Sequence, residues 1–318
     1  MTLNLEAAFA DHRQFLWGLC YRMTGSAADA DDVVQDTFVR AMQHPPKRTH
    51  DPLRPWLVKV ALNLSRDLLR KRKRRDYVGP WLPSPIETDR ADGEPAPPSH
   101  EPTVDGVRTL EGRYDLLESV SFAFLLALER LTPIQRAVLL LRDVFDYSVK
   151  ETADALDRSE AGVKTTHHRA RGAMEAYHRS RQPQTRARRD AAGLALERFL
   201  ERLAAHDVAG IEALLAEGVK TTTDGGGEFR SALRTIVGRD KVMRFYLSIV
   251  DTARNVAVRA TQFNGSAGVF MEARTLLKDR LAPRMVLAVD LDDAGKIAHI
   301  YVVSATLKLT AVSHQAGN

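Results

Sequence analysis

From Gly79 to Asp105 the chain reads GPWLPSPIETDRADGEPAPPSHEPTVD, rich in proline and acid, with neither the 3.6-residue period of a helix nor the alternation of a strand. Proline lacks the backbone N–H that helices and sheets use, and it restricts the residue before it. No single core can run through such a segment. It therefore reads as a linker, extended where the prolines cluster, that divides the sequence. With 318 residues to distribute, two or three domains are expected, each able to bury a core of its own.

The balance of 44% hydrophobic and 27% charged residues is that of a globular protein. No stretch approaches the roughly 18 apolar residues that would span a bilayer. Met1 to Ala10 lacks the basic-then-apolar pattern of a secretory leader. Cys20 is the single cysteine, so an internal disulfide is excluded and a reducing, cytoplasmic setting is expected. Within FLWGLCYRM it reads as a small buried hydrophobe.

Charge is unevenly spread. The chain carries a net +5, yet residues 1–43 hold three Lys/Arg against six Asp/Glu. Residues 54–75 hold nine basic side chains against Asp67 alone, six of them in the run RKRKRR from Arg70 to Arg75. Residues 159–189 hold eight against two. One acidic and two basic faces point to different partners for different parts of the chain.

Before the linker the sequence is helical. AADADDVVQDTFVRAM places Ala30, Val33, Val34, Thr37, Phe38 and Ala41 on one face. Ser26, with Asp29 three positions on, supplies a cap. Asp31, Asp32, Gln35, Asp36 and Arg40 then fall on the outward face. LRPWLVKVALNLSRDLLRKRKRR reads as an amphipathic helix with Trp56, Val60, Leu64 and Leu68 packed inward and Arg66, Arg70, Lys73 and Arg74 on other faces, suited to a phosphate backbone.

After the linker, SVSFAFLLALERL is a helix ending near Leu131, and Thr132, Pro133 and Gln135 start the next. SVKETADALDRSEAGVKTTHHRARGAME then opens with Ser148 and Glu151 in capping-box spacing, turns through DRS, and restarts with Ser159 as cap. Two short helices joined by a tight turn form a helix-turn-helix, whose second helix enters the major groove. Glu160, Lys164, Thr165, Arg169 and Arg171 are best placed to face DNA, while Val163, Ala170 and Met174 continue the apolar side and His167 faces the core.

From about Asp190 the pattern changes. GLALERFLERLAAHD, GIEALLAEG and KVMRFYLSIV read as helices, and strand-like runs follow, with turns at Asn264-Gly265 and near Asp293 to Gly295. Helices followed by an antiparallel meander indicate an α+β domain with helices on one face of a curved sheet. His206, Asp207, Asp224, Tyr246 and His299 are the candidates for acid–base chemistry there, but no spacing ties them into a catalytic set. Zinc-ligand spacing, a phosphate-binding glycine loop and a nucleophile elbow are all absent, so neither metal nor cofactor is expected.

The order DADDVVQDTFVRAM, PWLVKVALNLSRDLLRKRKR, LTPIQRAVLLLRDVFDYSVKETADALDRSEAGVKTTHHRAR resembles the extracytoplasmic-function sigma factors of bacterial RNA polymerase, within the sigma-70 family. Residues 190–312 resemble the SnoaL-like cone fold, and both YVGPWLPSPIE and DGGG resemble motifs of the sigma subgroup that carries such an extension. The resemblance implies a multidomain chain: residues 1–78 binding core polymerase and the promoter −10 element, a linker over 79–112, a helix-turn-helix domain over 113–182 reading the −35 element, and a regulatory domain over 190–312.

Carried onto this sequence, Asp31, Asp32, Gln35, Asp36 and Arg40 would bind polymerase. Arg54, Trp56, Asn63, Arg66, Asp67, Arg70 and Arg74 would read and open the −10 element, with Pro45 and Pro46 in a loop facing the melted strand. Ser159, Glu160, Lys164, Thr165, Thr166, Arg169 and Arg171 would meet the −35 element. Asp157 stands where the family's turn usually has glycine. Trp81, Leu82 and Pro83 would contact Asp224, Gly225, Gly226 and Gly227. The expected partners are core RNA polymerase and promoter DNA, with a small-molecule ligand in the C-terminal domain as an additional one. Two other readings stand beside this: a helix-turn-helix regulator acting without polymerase, which leaves the acidic helix unexplained, and a SnoaL-like enzyme.

Overall fold

Hydroxyl caps set the starts of most helices in the first half of the chain. The structure, a computed structural model, describes residues 5–44, 53–72, 77–88, 114–181, 185–253, 255–274 and 281–313. It divides into two units, Met1–Asp76 with Pro97–Gln182, and Tyr77–Ala96 with Pro183–Asn318.

In the first unit α1 (Leu5–Thr24), α2 (Ala27–Gln43) and α3 (Leu53–Arg72) pack together. Ser26 Oγ accepts the Asp29 N–H, and α2 buries Ala30, Val33, Val34, Thr37, Phe38 and Ala41. The inward face of α3 differs from the sequence reading. Leu57, Val58, Ala61, Leu62, Ser65 and Leu69 are buried, whereas Trp56, Val60, Leu64 and Leu68 are only partly covered. Apolar residues occupy six of the ten positions of VALNLSRDLL, often side by side, so periodicity could not choose between stripes one residue apart; packing against α1 and α2 chose.

Five shorter helices complete this unit: α4 (Phe122–Leu128), α5 (Pro133–Asp143), α6 (Val149–Leu156), α7 (Glu160–Ala173) and α8 (Glu175–Ser180). Capping boxes close reciprocally at Thr132/Gln135 and Ser148/Glu151. Asp157 ends α6 in the left-handed conformation at φ 50°, which an aspartate tolerates better than most residues. The two helical modules meet through α1 and α3 against α5 and α6. Guanidinium groups join them: fully buried Arg22 donates to Ser119 Oγ (2.7 Å) and Leu116 O (2.9 Å). Arg136, also buried, donates to Met23 O (2.7 Å) and Leu128 O (2.8 Å) and pairs with Glu129.

The second unit begins with α9 (Arg186–Ala204) and α10 (Val208–Leu214), then β1 (Leu215–Asp224), β2 (Ile236–Val237), α11 (Arg239–Ile249), β3 (Val256–Phe263), β4 (Ser266–Ala273), β5 (Arg284–Leu291) and β6 (Ile297–Val303). Sheet order is β2-β1-β6-β5-β4-β3, with β1 and β6 parallel and the other pairs antiparallel. The segment GIEALLAEG, read as helical, changes to strand at Leu215. Asn264 and Gly265 take φ 55° and 75°, as a two-residue hairpin turn requires. Gly268 permits the sheet to curve, since a Cβ there would lie 2.8 Å from Leu287 O and from the Phe263 ring. Phe199, Tyr246, Val269, Leu287 and Ile300 form the core between α9, α11 and the concave face.

The opposite, outer face is covered by the chain from Tyr77 to Thr88, the beginning of the segment read as a linker. Ile86 donates its N–H to Asn264 Oδ1 (3.0 Å) and accepts the Asn264 N–H, while the Thr88 N–H reaches Gln262 O (3.0 Å). Arg259 pairs with Glu87. At the other end Asp224, fully buried, accepts from Tyr77 Oη (2.6 Å), the Leu82 N–H (2.7 Å), the Gly226 N–H (3.0 Å) and Lys308 Nζ (2.5 Å). Lys308 also donates to Leu82 O (2.5 Å) and lies 4.4 Å from the Trp81 ring centroid. Replacing Asp224 with Asn leaves the Lys308 ammonium buried without its counter-charge, a change that costs about 3 kcal/mol or more. Amide hydrogen exchange is expected to show Leu82, Ile86 and Thr88 losing protection in Asp224→Asn while strands β4 and β5 keep theirs.

Candidate nucleic-acid interface

Burying one face of α2 forces its polar residues outward. Asp32, Gln35, Asp36 and Arg40 are exposed, and Asp31 is half-exposed with its carboxylate 4.0 Å from Arg13. The result is a face with three carboxylates, which repels phosphate and attracts a basic protein surface.

On α3 the side chains expected to meet DNA form pairs one turn apart. Asn63 Oδ1 accepts from Arg66 (3.2 Å), and Asp67 Oδ1 accepts from Arg70 (2.9 Å). Each amide or carboxylate thereby orients the guanidinium beyond it. Burial, then the neighbouring cations Arg70 and Arg158, lower the pKa of Arg66 from its ordinary value, with Asp67 and Asp157 opposing. The Arg66 Nε is buried with no hydrogen-bond partner. Arg54 stacks on Phe15, 3.8 Å from the ring centroid, and Trp56 is partly exposed. Arg74, Pro45 and Pro46 lie outside the described residues.

Helix α7 starts with Ser159 Oγ accepting the Gly162 N–H (3.1 Å). A Cβ at Gly162 would lie 3.1 Å from that oxygen, so this glycine gives the cap room. Ser159, Glu160, Lys164, Thr165, Arg169 and Arg171 are exposed along the helix, with Thr166 partly covered. Lys164 and Arg169 have no partner among the described residues. The hydroxyls of Thr165 and Thr166 donate to Ala161 O (3.0 Å) and Gly162 O (2.8 Å), which leaves them as acceptors. His167 is not sealed in the core as expected: its Nε2 lies 2.9 Å from Asp143 Oδ1, at the edge of α5.

Two features escaped the sequence reading. Lys59 on α3 reaches the turn of the helix-turn-helix, 2.5 Å from Asp157 Oδ1; the two are far apart in sequence, and nothing in the turn pattern that contains Asp157 pointed to Lys59. Lys308, buried against Asp224, is likewise an ordinary lysine in TLKLT; only an unbalanced buried carboxylate could have signalled it. The Leu82 N–H donates to Asp224 and Trp81 lies against Lys308, whereas the space beside Gly225 is taken by Phe229 and Ser231, beside Gly226 by Ala305 and beside Gly227 by Val78.

The acid–base candidates of the second unit do not converge. His206 is exposed beside Asp251, and Asp207 caps α10 at Gly210. Asp224 lies beneath the 77–88 segment. Tyr246 pairs with Thr221 (2.7 Å) on the concave side, and burial raises its hydroxyl pKa. His299 is on the outer face, bonded to Thr222 (3.0 Å) and stacked on Tyr301, with burial, then Lys220, lowering its pKa to about 4.

Comparison with known proteins assigns these surfaces to a family. The sigma-70 region 2 family matches residues 8–75, and the sigma-70 region 4 family matches residues 121–174. The ECF RNA polymerase sigma factor SigJ of Mycobacterium tuberculosis is 31% identical over 307 residues, covering 94% of this chain and 91% of its own. SigG of the same organism is 37% identical over 193 residues, covering 54% of this chain and 48% of its own. The crystal structure of the Mycobacterium tuberculosis SigJ superposes with a TM-score of 0.69 at 27% identity, covering 96% of this chain and 98% of that one. Two sigma-70 regions in order, and a relative matched from end to end through the α+β extension, show that the chain belongs to the extracytoplasmic-function sigma factors of RNA polymerase.

Proposed function

We propose that the chain brings core RNA polymerase to promoters through three faces of the first unit, and that the second unit regulates this. The outward carboxylates of α2 bind polymerase; Arg54, Trp56, Asn63, Arg66, Asp67 and Arg70 on α3 act at the −10 element; Lys164, Arg169 and their neighbours on α7 act at the −35 element. The observation that carries this reading is the division of labour by charge: α2 exposes Asp32 and Asp36 while α3 and α7 expose arginine and lysine. A regulator independent of polymerase gives the acidic face no task. A task at core polymerase supports a cytoplasmic location, and the scatter of the acid–base candidates supports a non-catalytic second unit.

Reading two separated promoter elements at once requires the helical modules to part, because α3 here rests against the turn before α7. The Lys59–Asp157 bridge is one restraint on that opening. Its partial exposure limits it to about 1 kcal/mol at most. Lys59→Ala is therefore expected to tighten promoter binding by holoenzyme up to about fivefold, measured by filter binding.

Purified core enzyme and a promoter library test the main reading by run-off transcription. Asp32→Lys with Asp36→Lys is expected to weaken core binding at least tenfold without loss of helicity. Unchanged affinity would rule out docking on α2. Lys164→Ala with Arg169→Ala is expected to lower −35 protection in footprints and, with two phosphate contacts gone, to reduce the slope of log affinity against log salt by about 2. Asp224→Asn is expected to change transcript yield from the same promoters; equal yield would remove the regulatory role given to the docked 77–88 segment.

A further inference from the structure

Between α9, α11 and the concave face of its sheet, the second unit encloses a cavity of about 360 Å³. Native interiors pack at the density of organic crystals, with few voids larger than a water molecule. This space would hold about a dozen waters at the roughly 30 Å³ each takes in the liquid, and it lies in the range of small-molecule pockets.

Its walls are mostly apolar, with Leu203, Phe245, Met271, Met285, Leu287 and Val302 among the lining residues. Most of the hydroxyls that reach the lining are already engaged, Ser231 excepted. Thr223 Oγ1 accepts the Ala232 N–H (2.8 Å) and donates to Ala232 O (3.3 Å). Tyr246 pairs with Thr221, Ser248 donates to Phe245 O (2.7 Å), and Ser304 donates to Asp224 O (3.4 Å). Water inside would find few partners, so an apolar occupant is favoured. One lining residue among those described is charged. Arg230 stands exposed, and its guanidinium has neither an ion-pair nor a hydrogen-bond partner among the described residues. Among the described residues no carboxylate or imidazole lines the space.

We infer that this cavity binds an apolar monocarboxylate, a medium-chain or ring-bearing acid whose hydrophobic body lies against α9, α11 and the sheet and whose carboxylate is held by Arg230. The planar guanidinium matches a carboxylate through two parallel hydrogen bonds, which no other lining group among the described residues could supply. The site stands independently of the promoter-reading assignments. Its wall also shares backbone with the anchor of the 77–88 segment: Thr223 precedes Asp224 in β1, and the Ser304 N–H donates to Asp224 O (2.8 Å). The cavity and that segment lie on opposite faces of the same strand ends.

Isothermal titration of the full-length protein with decanoate, naphthoate and decanol, each below its aggregation concentration, tests this. At least one acid is expected to bind saturably, one molecule per chain, with decanol at least threefold weaker than decanoate. Arg230→Glu, a change on an exposed side chain, is expected to lower affinity for the acids about tenfold and leave decanol unaffected. Ala273→Phe, confirmed as folded by circular dichroism, is expected to exclude all three. A preference for decanoate or for naphthoate supports the site either way and separates chain from ring ligands. The inference is overturned if neither acid saturates, if decanol binds as tightly as decanoate, if Arg230→Glu keeps wild-type affinity for the acids, or if folded Ala273→Phe still binds them.

Discussion

The second unit depends on a carboxylate that water does not reach. Asp224 is fully buried, and burying a charge is tolerable only when a counter-charge and enough hydrogen-bond donors replace the lost hydration. Tyr77, Leu82, Gly226 and Lys308 supply them from three places in the chain. Because two of these donors belong to the 77–88 segment, the requirement ties that segment to the sheet. The Asn264 and Gln262 contacts further along then fix its direction over the outer face. A stretch without regular secondary structure thus becomes a constituent of a folded unit.

The first unit solves its own joining problem differently. Arg22 and Arg136 cross between helical modules by donating to backbone carbonyls, Leu116 O in a turn and Met23 O in the last turn of α1, where carbonyls are short of partners inside the helix. Such a seam is directional, with polar bonds beside apolar contacts such as Phe15 against Phe145. It holds one arrangement well, and under the proposed reading of two promoter elements these bonds are the ones to be exchanged for others.

Much of this was legible from the residues. Capping residues located helix starts because the geometry is local: Ser26, Thr132, Ser148 and Ser159 all accept from the N–H groups three residues on. Asn264-Gly265 located a hairpin for the same reason. Order and charge of the segments sufficed to recognise the family. What failed were decisions made by distant packing. The buried stripe of α3 was ambiguous among closely spaced apolar residues, and β1 was hidden because AEG continues a helical pattern while Thr221 to Thr223 give only a brief strand signal. Of the candidate contact residues, exposure and pairing on α2, α3 and α7 are consistent with their proposed roles, whereas Lys59 and Lys308 could be found only in three dimensions.

Asp157 illustrates how one residue can serve two structural ends at unequal cost. Glycine would adopt the left-handed turn between α6 and α7 with less strain, so the local fold would gain from it. Glycine has no carboxylate, however, and Lys59 would lose its counterpart across the seam. Aspartate therefore accepts backbone tension inside one module in return for adhesion to another, and the intrinsic firmness of the helix-turn-helix and its attachment to α3 become separately adjustable at a single codon.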